Sequence, residues 1–118
     1  FRGDDVKRVI IESPYAAANG HTVAEHKEYA RRCMADSLAR GEAPLASHLL
    51  YTQPGILDDT DPEQRKLGME AGFAWMTQAN MAAFYTDLGF SRGMRVGQIR
   101  AREAGIPIVT RHIRRGGE

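Results

Sequence analysis

The stretch Met81-Ala82-Ala83-Phe84-Tyr85-Thr86-Asp87-Leu88-Gly89-Phe90-Ser91-Arg92-Gly93-Met94 decides the fold. Its first six residues read as a short buried strand, and Asp87 to Gly93 form a glycine-containing loop. A helix follows from Ser91 or Arg92 to Ala104, where Gly105 stops it. Ile106-Pro107-Ile108-Val109-Thr110 then reads as another strand. Strand, loop, helix and strand in this order make a parallel pair joined by a helical crossover.

The same alternation extends toward the N-terminus. Asp61-Pro62-Glu63-Gln64 has the form of a helix start, with Asp61 at the N-cap and Pro62 at the first helical position. That helix should run to about Gln78 and bury Leu67, Ala71, Ala74 and Trp75. Before it, Leu45-Ala46-Ser47-His48-Leu49-Leu50-Tyr51 is apolar and short enough for a buried strand. Thr22 and Glu25 form a capping box for an earlier helix that ends at Ala39, before Arg40-Gly41. Val23, Ala30, Cys33, Met34, Ser37 and Leu38 fall on its apolar side. Val6-Lys7-Arg8-Val9-Ile10-Ile11-Glu12 is the first strand, closed by Ser13-Pro14 because proline cannot donate to a ladder. The pattern β-α-β-α-β-α-β predicts an α/β protein: a Rossmann-like (flavodoxin-type) three-layer sandwich with a four-stranded parallel sheet in the order 2-1-3-4. One domain should span residues 1–118, with an ordered core of about 6–113 and a loose tail from His112 to Glu118.

Composition narrows the function classes. The 118 residues hold 16 Lys and Arg against 15 Asp and Glu, a formal net charge of +1. A dedicated duplex-nucleic-acid binder would show a marked basic excess, so none is expected. The single cysteine, Cys33, excludes an internal disulfide and a multi-cysteine zinc site, and it fits a reducing, cytoplasmic compartment. No apolar run approaches the ~20 residues that cross a bilayer, and Phe1 to Tyr15 lacks the order of a signal peptide. No membrane association is expected. The chain does not begin with Met, so an upstream piece is expected to have been trimmed or left out.

In an open parallel sheet, ligands sit beyond the carboxyl ends of the strands, where strand order reverses. Here that crevice lies between the ends of the first and third strands. It gathers Glu12, Ser13 and Tyr15 from one side and Asp87, Gly89, Ser91, Arg92 and Gly93 from the other, with His48 and Tyr51 close by. The helix start favours an anion, and Arg92 adds a cation. Each residue also has a plain structural role. Asp87 can cap a turn, the glycines can be turn chemistry, and Ser91 can be an N-cap. His48 reads as a packed, hydrogen-bonded residue before it reads as a base. The loop has neither GxGxxG nor a Walker Lys-Ser/Thr pair. His21 and His26 are spaced i, i+5, and Asp58, Asp59 and Asp61 lack the EF-hand pattern, so no metal is expected. No cofactor is implied. Cys33 reads as packing. Trp75, Phe73 and Met76 read mostly as core, with one of them free to face a partner.

Ile10-Ile11-Glu12-Ser13-Pro14-Tyr15-Ala16, Tyr29-Ala30-Arg31-Arg32-Cys33-Met34, Ser47-His48-Leu49-Leu50-Tyr51 and Tyr85 to Met94 together resemble a family of small bacterial and phage proteins. That family is similar to the nucleoside 2-deoxyribosyltransferases. The resemblance covers about residues 6 to 110. It implies a deoxyribonucleoside pocket and exchange of a glycosidic bond through a nucleophilic Glu on the helix after the third strand. Aligned on Gly93 and on Gly105-Ile106-Pro107, that Glu falls at Gly97, so the expected nucleophile is missing. By the resemblance, Asp87 orients sugar or base, Ser13 and Tyr15 line the ligand, and Ser91 with Gly93 contacts an anion. Replacement carboxylates are Asp87, Glu70 and Glu12; Glu103 lies at the far end of the helix.

Three functions follow as expectations. The first is a nucleoside- or nucleotide-binding protein of transferase-like fold without efficient transfer. The second is an active N-glycosidase or deoxyribosyltransferase using another carboxylate. The third is a phage or bacterial protein-interaction module that binds a host protein. The transferase resemblance also implies a homo-oligomer.

Overall fold

The computed structural model describes residues 6–113. The elements are β1 (Arg8–Glu12), α1 (Val23–Ala39), β2 (Ala43–Leu45), α2 (Ser47–Leu50), α3 (Pro62–Met76), β3 (Met81–Tyr85), α4 (Arg92–Ala104) and β4 (Ile108–Arg111). The four strands form one sheet in the order β2-β1-β3-β4, every pair parallel. This is the α/β architecture and strand order expected from the sequence. Residues 114–118, the greater part of the expected loose tail, lie outside the described residues.

Strand alternation divides the interior into two halves. Val9, Ile11, Ala83 and Tyr85 point to the face covered by α1, where they meet Tyr29 and Cys33. Ile10, Ala82 and Phe84 point to the opposite face and pack on Met76, Met94 and Ala101 of α3 and α4. Cys33 is fully buried, as read from its place on the helix, and burial pushes its thiol up to about 12, so it stays protonated and inert.

Local chemistry explains the helix ends. The hydroxyl of Thr22 accepts from Glu25 N–H at 3.1 Å, and the Glu25 carboxylate accepts from Thr22 N–H at 2.8 Å, closing the capping box. Asp61 caps α3 through Glu63 N–H at 3.0 Å, with Pro62 at the first position. Ser91 caps α4 through Met94 N–H at 3.2 Å, and Gly105 ends it with φ 73°.

Three expectations are corrected. The second strand is not residues 45–51 but Ala43–Leu45, and Ser47–Leu50 is a single helical turn. A short apolar run has no periodicity to separate strand from helix. Pro44 is tolerated in the strand because β2 lies at the sheet edge. The buried face of α3 also differs: Gly72 and Met76 are buried, while Leu67 is 68% and Trp75 52% exposed. That helix has apolar residues on both sides, so periodicity alone does not select the packed one. Leu38 of α1 is exposed for a similar reason, since Tyr29 and His26 fill the buried face in its place.

Candidate functional site

At the end of β1, consecutive residues point to opposite faces of the sheet, and both reach the same hollow. It encloses about 460 Å³. Its lining brings together Glu12, Ser13, Tyr15, His48, Ser91, Arg92 and Gly93 from the sequence-derived set. Asn19, Ser47, Asp59, Arg65, Met69, Gly72, Phe73, Phe90 and Met94 complete it, with Ala16 and Ala18.

Glu12 follows Ile10 in the alternation and so faces α4. There it meets Gly97: a Cβ at that position would lie 2.7 Å from Glu12 Oε2, 2.8 Å from Cδ and 2.9 Å from Oε1. The bare backbone of Gly97 is what gives the Glu12 carboxyl its room. No described residue donates a hydrogen bond to this carboxyl or pairs with it. Burial alone pushes its pKa up to about 8.

Ser13 turns the other way. Its hydroxyl lies 2.7 Å from His48 Nε2. Burial holds His48 down to about 4, with the nearby His26 adding to the effect, so the imidazole is neutral at physiological pH. Tyr15 meets the His48 ring edge-on with centroids 6.4 Å apart. The one-turn α2 therefore presents His48 as a strand could not, projecting it from the helix toward the tip of β1. Gly72 permits this: a Cβ there would collide with Ser47 Oγ and lie 2.9 Å from Ser47 Cβ, so α3 approaches α2 only because that position is glycine.

The opposite wall is the start of α4. Ser91, Arg92 and Gly93 lie there, and Arg65 Nη2 comes within 4.0 Å of where a Gly93 Cβ would be. Asp59 joins Arg65 in this wall. Burial holds the Asp59 carboxyl above its usual range, partly opposed by Arg65. Phe90 stacks on Phe84 with centroids 5.7 Å apart, which joins the apolar part of the lining to the core.

Three named residues are placed elsewhere. The Asp87 carboxylate accepts from the Tyr29 hydroxyl and from Ile113 N–H at 3.1 Å, tying α1 to the end of β4, and Asp87 is not part of the cavity lining. Gly89 is also outside the lining, with φ 109° in a conformation that favours glycine. Glu70 is exposed on α3, 3.4 Å from Arg100. Of the three carboxylates named from the sequence, only Glu12 reaches the cavity. Among the proposed partner contacts, Trp75 is exposed and donates to the Tyr51 hydroxyl at 2.8 Å, Met76 is buried, and Phe73 lines the cavity.

Sequence reasoning missed His26, Arg65 and Asp59. His26 is buried, and its Nδ1 lies 3.2 Å from Tyr15 O and 3.0 Å from Ala16 O, so Nδ1 carries the proton and pins the first loop. Its only signal is a polar residue on the apolar side of α1. Arg65 is one turn after the Asp61 cap, on the face of α3 that shares the cavity with Met69, Gly72 and Phe73. Among the described residues no group of three or more His, Cys, Asp or Glu could hold a metal ion, and no helix is long and apolar enough to cross a membrane.

The sequence pattern of a domain of unknown function, DUF7768, matches residues 7–111. The chain belongs to that family. The match takes in every strand and helix described above, so the cavity lies wholly within the family domain. No curated protein matches the chain.

Proposed function

We propose that the protein binds a nucleoside or nucleotide in the cavity at the tips of β1 and β3. One observation carries this reading: a hollow of about 460 Å³ at the strand-order reversal, with aromatic and polar groups converging on it. The volume lies within the roughly 300–1,000 Å³ typical of small-molecule sites. Tyr15, Phe73 and Phe90 offer apolar surface for a planar base. Ser13, His48 and Glu12 offer polar contacts, and Arg65 and Arg92 beside the start of α4 suit an anionic group. The resemblance to the nucleoside 2-deoxyribosyltransferases supports the same ligand class.

Isothermal calorimetry against nucleosides, their 5′-phosphates and ADP-ribose-type compounds tests the proposal. Saturable heat from at least one of them, lost on changing Tyr15 or Arg65 to Ala, is expected. Folded protein that gives no heat with any of them contradicts it.

A second reading is glycosidic-bond chemistry, and Glu12 favours it as the one of the three candidate carboxylates (Asp87, Glu70 and Glu12) that lines the cavity. Base release from deoxynucleosides, followed by chromatography, separates the two. Release that persists unchanged in Glu12→Gln rules out this carboxyl as its agent.

A further inference from the structure

A carboxyl group walled into a cavity without a partner requires explanation, because burying an unpaired charge is costly. Three facts of geometry bear on Glu12. It lines the cavity. Its carboxyl rests on the bare backbone of Gly97, with no room for a side chain there. No described residue bonds or pairs with it, although two arginines line the same cavity. The charged and titratable groups that share the space are His48 from α2, Asp59 from the preceding loop, Arg65 from α3, Arg92 from α4 and Tyr15 after β1. β3 contributes Phe84 opposite Glu12, which carries no charge. No described cation lies within ion-pairing distance of Glu12, so the form that fits is the neutral acid.

A neutral carboxylic acid differs from a carboxylate in what it recognises. It presents one O–H donor beside one acceptor, the same pair that the amide of Gln or Asn presents. That pair complements an edge with a ring-nitrogen acceptor beside an amino donor, as in adenine or cytosine. Guanine differs: its oxygen acceptor beside a ring N–H donor also fits the neutral acid, and its two adjacent donors fit the ionised carboxylate, so it is received in either state.

Resting on the nucleoside reading of the cavity, we propose that Glu12 is the group that reads the base, acting as a neutral hydrogen-bond donor and acceptor housed by Gly97, and that only this neutral form accepts the amino-bearing edge of adenine or cytosine. The position of its titration, pushed up to about 8, agrees with this role. Ionisation of Glu12 converts its donor into an acceptor and removes the match, so recognition weakens as the pH rises.

The test is calorimetric titration of the wild-type chain and Glu12→Gln with adenosine, cytidine and guanosine. The wild type should bind adenosine or cytidine near pH 6.5, where Glu12 holds its proton. That affinity should fall about tenfold by about pH 9, one pH unit past the midpoint. Glu12→Gln, whose amide keeps the donor–acceptor pair at every pH, should retain that binding and lose its pH dependence, and guanosine bound by the wild type should not weaken over the same range. A guanosine affinity that falls in parallel with the other two overturns the inference while leaving the cavity reading intact. So does an adenosine or cytidine affinity that does not change with pH, or loss of binding in a folded Glu12→Gln. Absence of binding by any nucleoside or nucleotide overturns both. Independently of any variant, the Glu12 carboxyl carbon in labelled wild-type protein should stay at its protonated resonance through about pH 7. A midpoint in the ordinary carboxylate range overturns the proposal.

Discussion

Replacing Glu12 by Gln should stabilise the protein, and by more as the pH rises. In the unfolded chain Glu12 ionises near its ordinary value of 4.5, whereas in the folded protein burial pushes it up to about 8. Between those values the folded state holds a proton that the unfolded state has released. A raised carboxyl pKa thus makes stability fall with rising pH, by about 1.4 kcal/mol per pH unit. The cost is absent below 4.5, stops growing above about 8, and at pH 7 reaches on the order of 3 kcal/mol. Glu12 is half-buried rather than sealed from solvent, and screening reduces this, so about 2 kcal/mol is the expected gain at neutral pH. Urea unfolding of both proteins across about pH 5 to pH 8.5 measures it, since the midpoint shifts while the slope m stays fixed. The two stabilities should nearly coincide at the acid end and separate steadily above it. Parallel curves across the range would refute the reasoning, because they would mean that Glu12 ionises alike in both states.

Gly97→Ala gains about 1 kcal/mol of helix propensity but forces the Glu12 carboxyl out of contact at 2.7–2.9 Å, so its net effect should be within about 1 kcal/mol of zero. In a Glu12→Ala background the same change should stabilise by the full ~1 kcal/mol, which a double-mutant cycle by urea unfolding reads directly. Gly72→Ala meets Ser47 Cβ at 2.9 Å, an atom fixed to the backbone, so overpacking should outweigh the helix gain by about 1 kcal/mol and lower the melting temperature. Glu42 holds the half-buried Arg111 through two bonds of 2.7 and 2.8 Å, and Glu42→Gln should cost about 2 kcal/mol in thermal unfolding. The same pair sets acid sensitivity. Arg111 holds the Glu42 carboxyl below its usual range, so its contribution is complete above the ordinary carboxylate pKa and is lost as acid titrates the folded group. The wild type should therefore lose part of its stability below about pH 4 that Glu42→Gln never has.

The architecture was largely legible because its signals are redundant. The capping box of Thr22 and Glu25, Pro62 after Asp61, and Gly105 after Ala104 each mark a boundary by a separate mechanism. The sheet order follows from β1 and β3 being the most apolar strands and therefore central. Ser47–Leu50 was not legible, since four residues are too few to show a period. At the site, the residues flanking the strand tips were legible from position alone. Glu12 against Gly97 was not, because that contact joins residues 85 positions apart and no local pattern records it. Asp87 shows the converse: a residue with a loop-like context whose carboxylate faces Tyr29 rather than the cavity.

The central claim is that the hollow between the tips of β1 and β3 receives a nucleoside or nucleotide. Amide chemical-shift mapping of the labelled chain during titration with the tightest ligand from calorimetry tests it most directly. Saturating shifts concentrated at Glu12, Ser13, Tyr15, His48, Ser91 and Gly93, with little change at the exposed Trp75 side of α3, are predicted. Shifts confined to α3 and the outer faces, with the cavity residues unmoved, would contradict it.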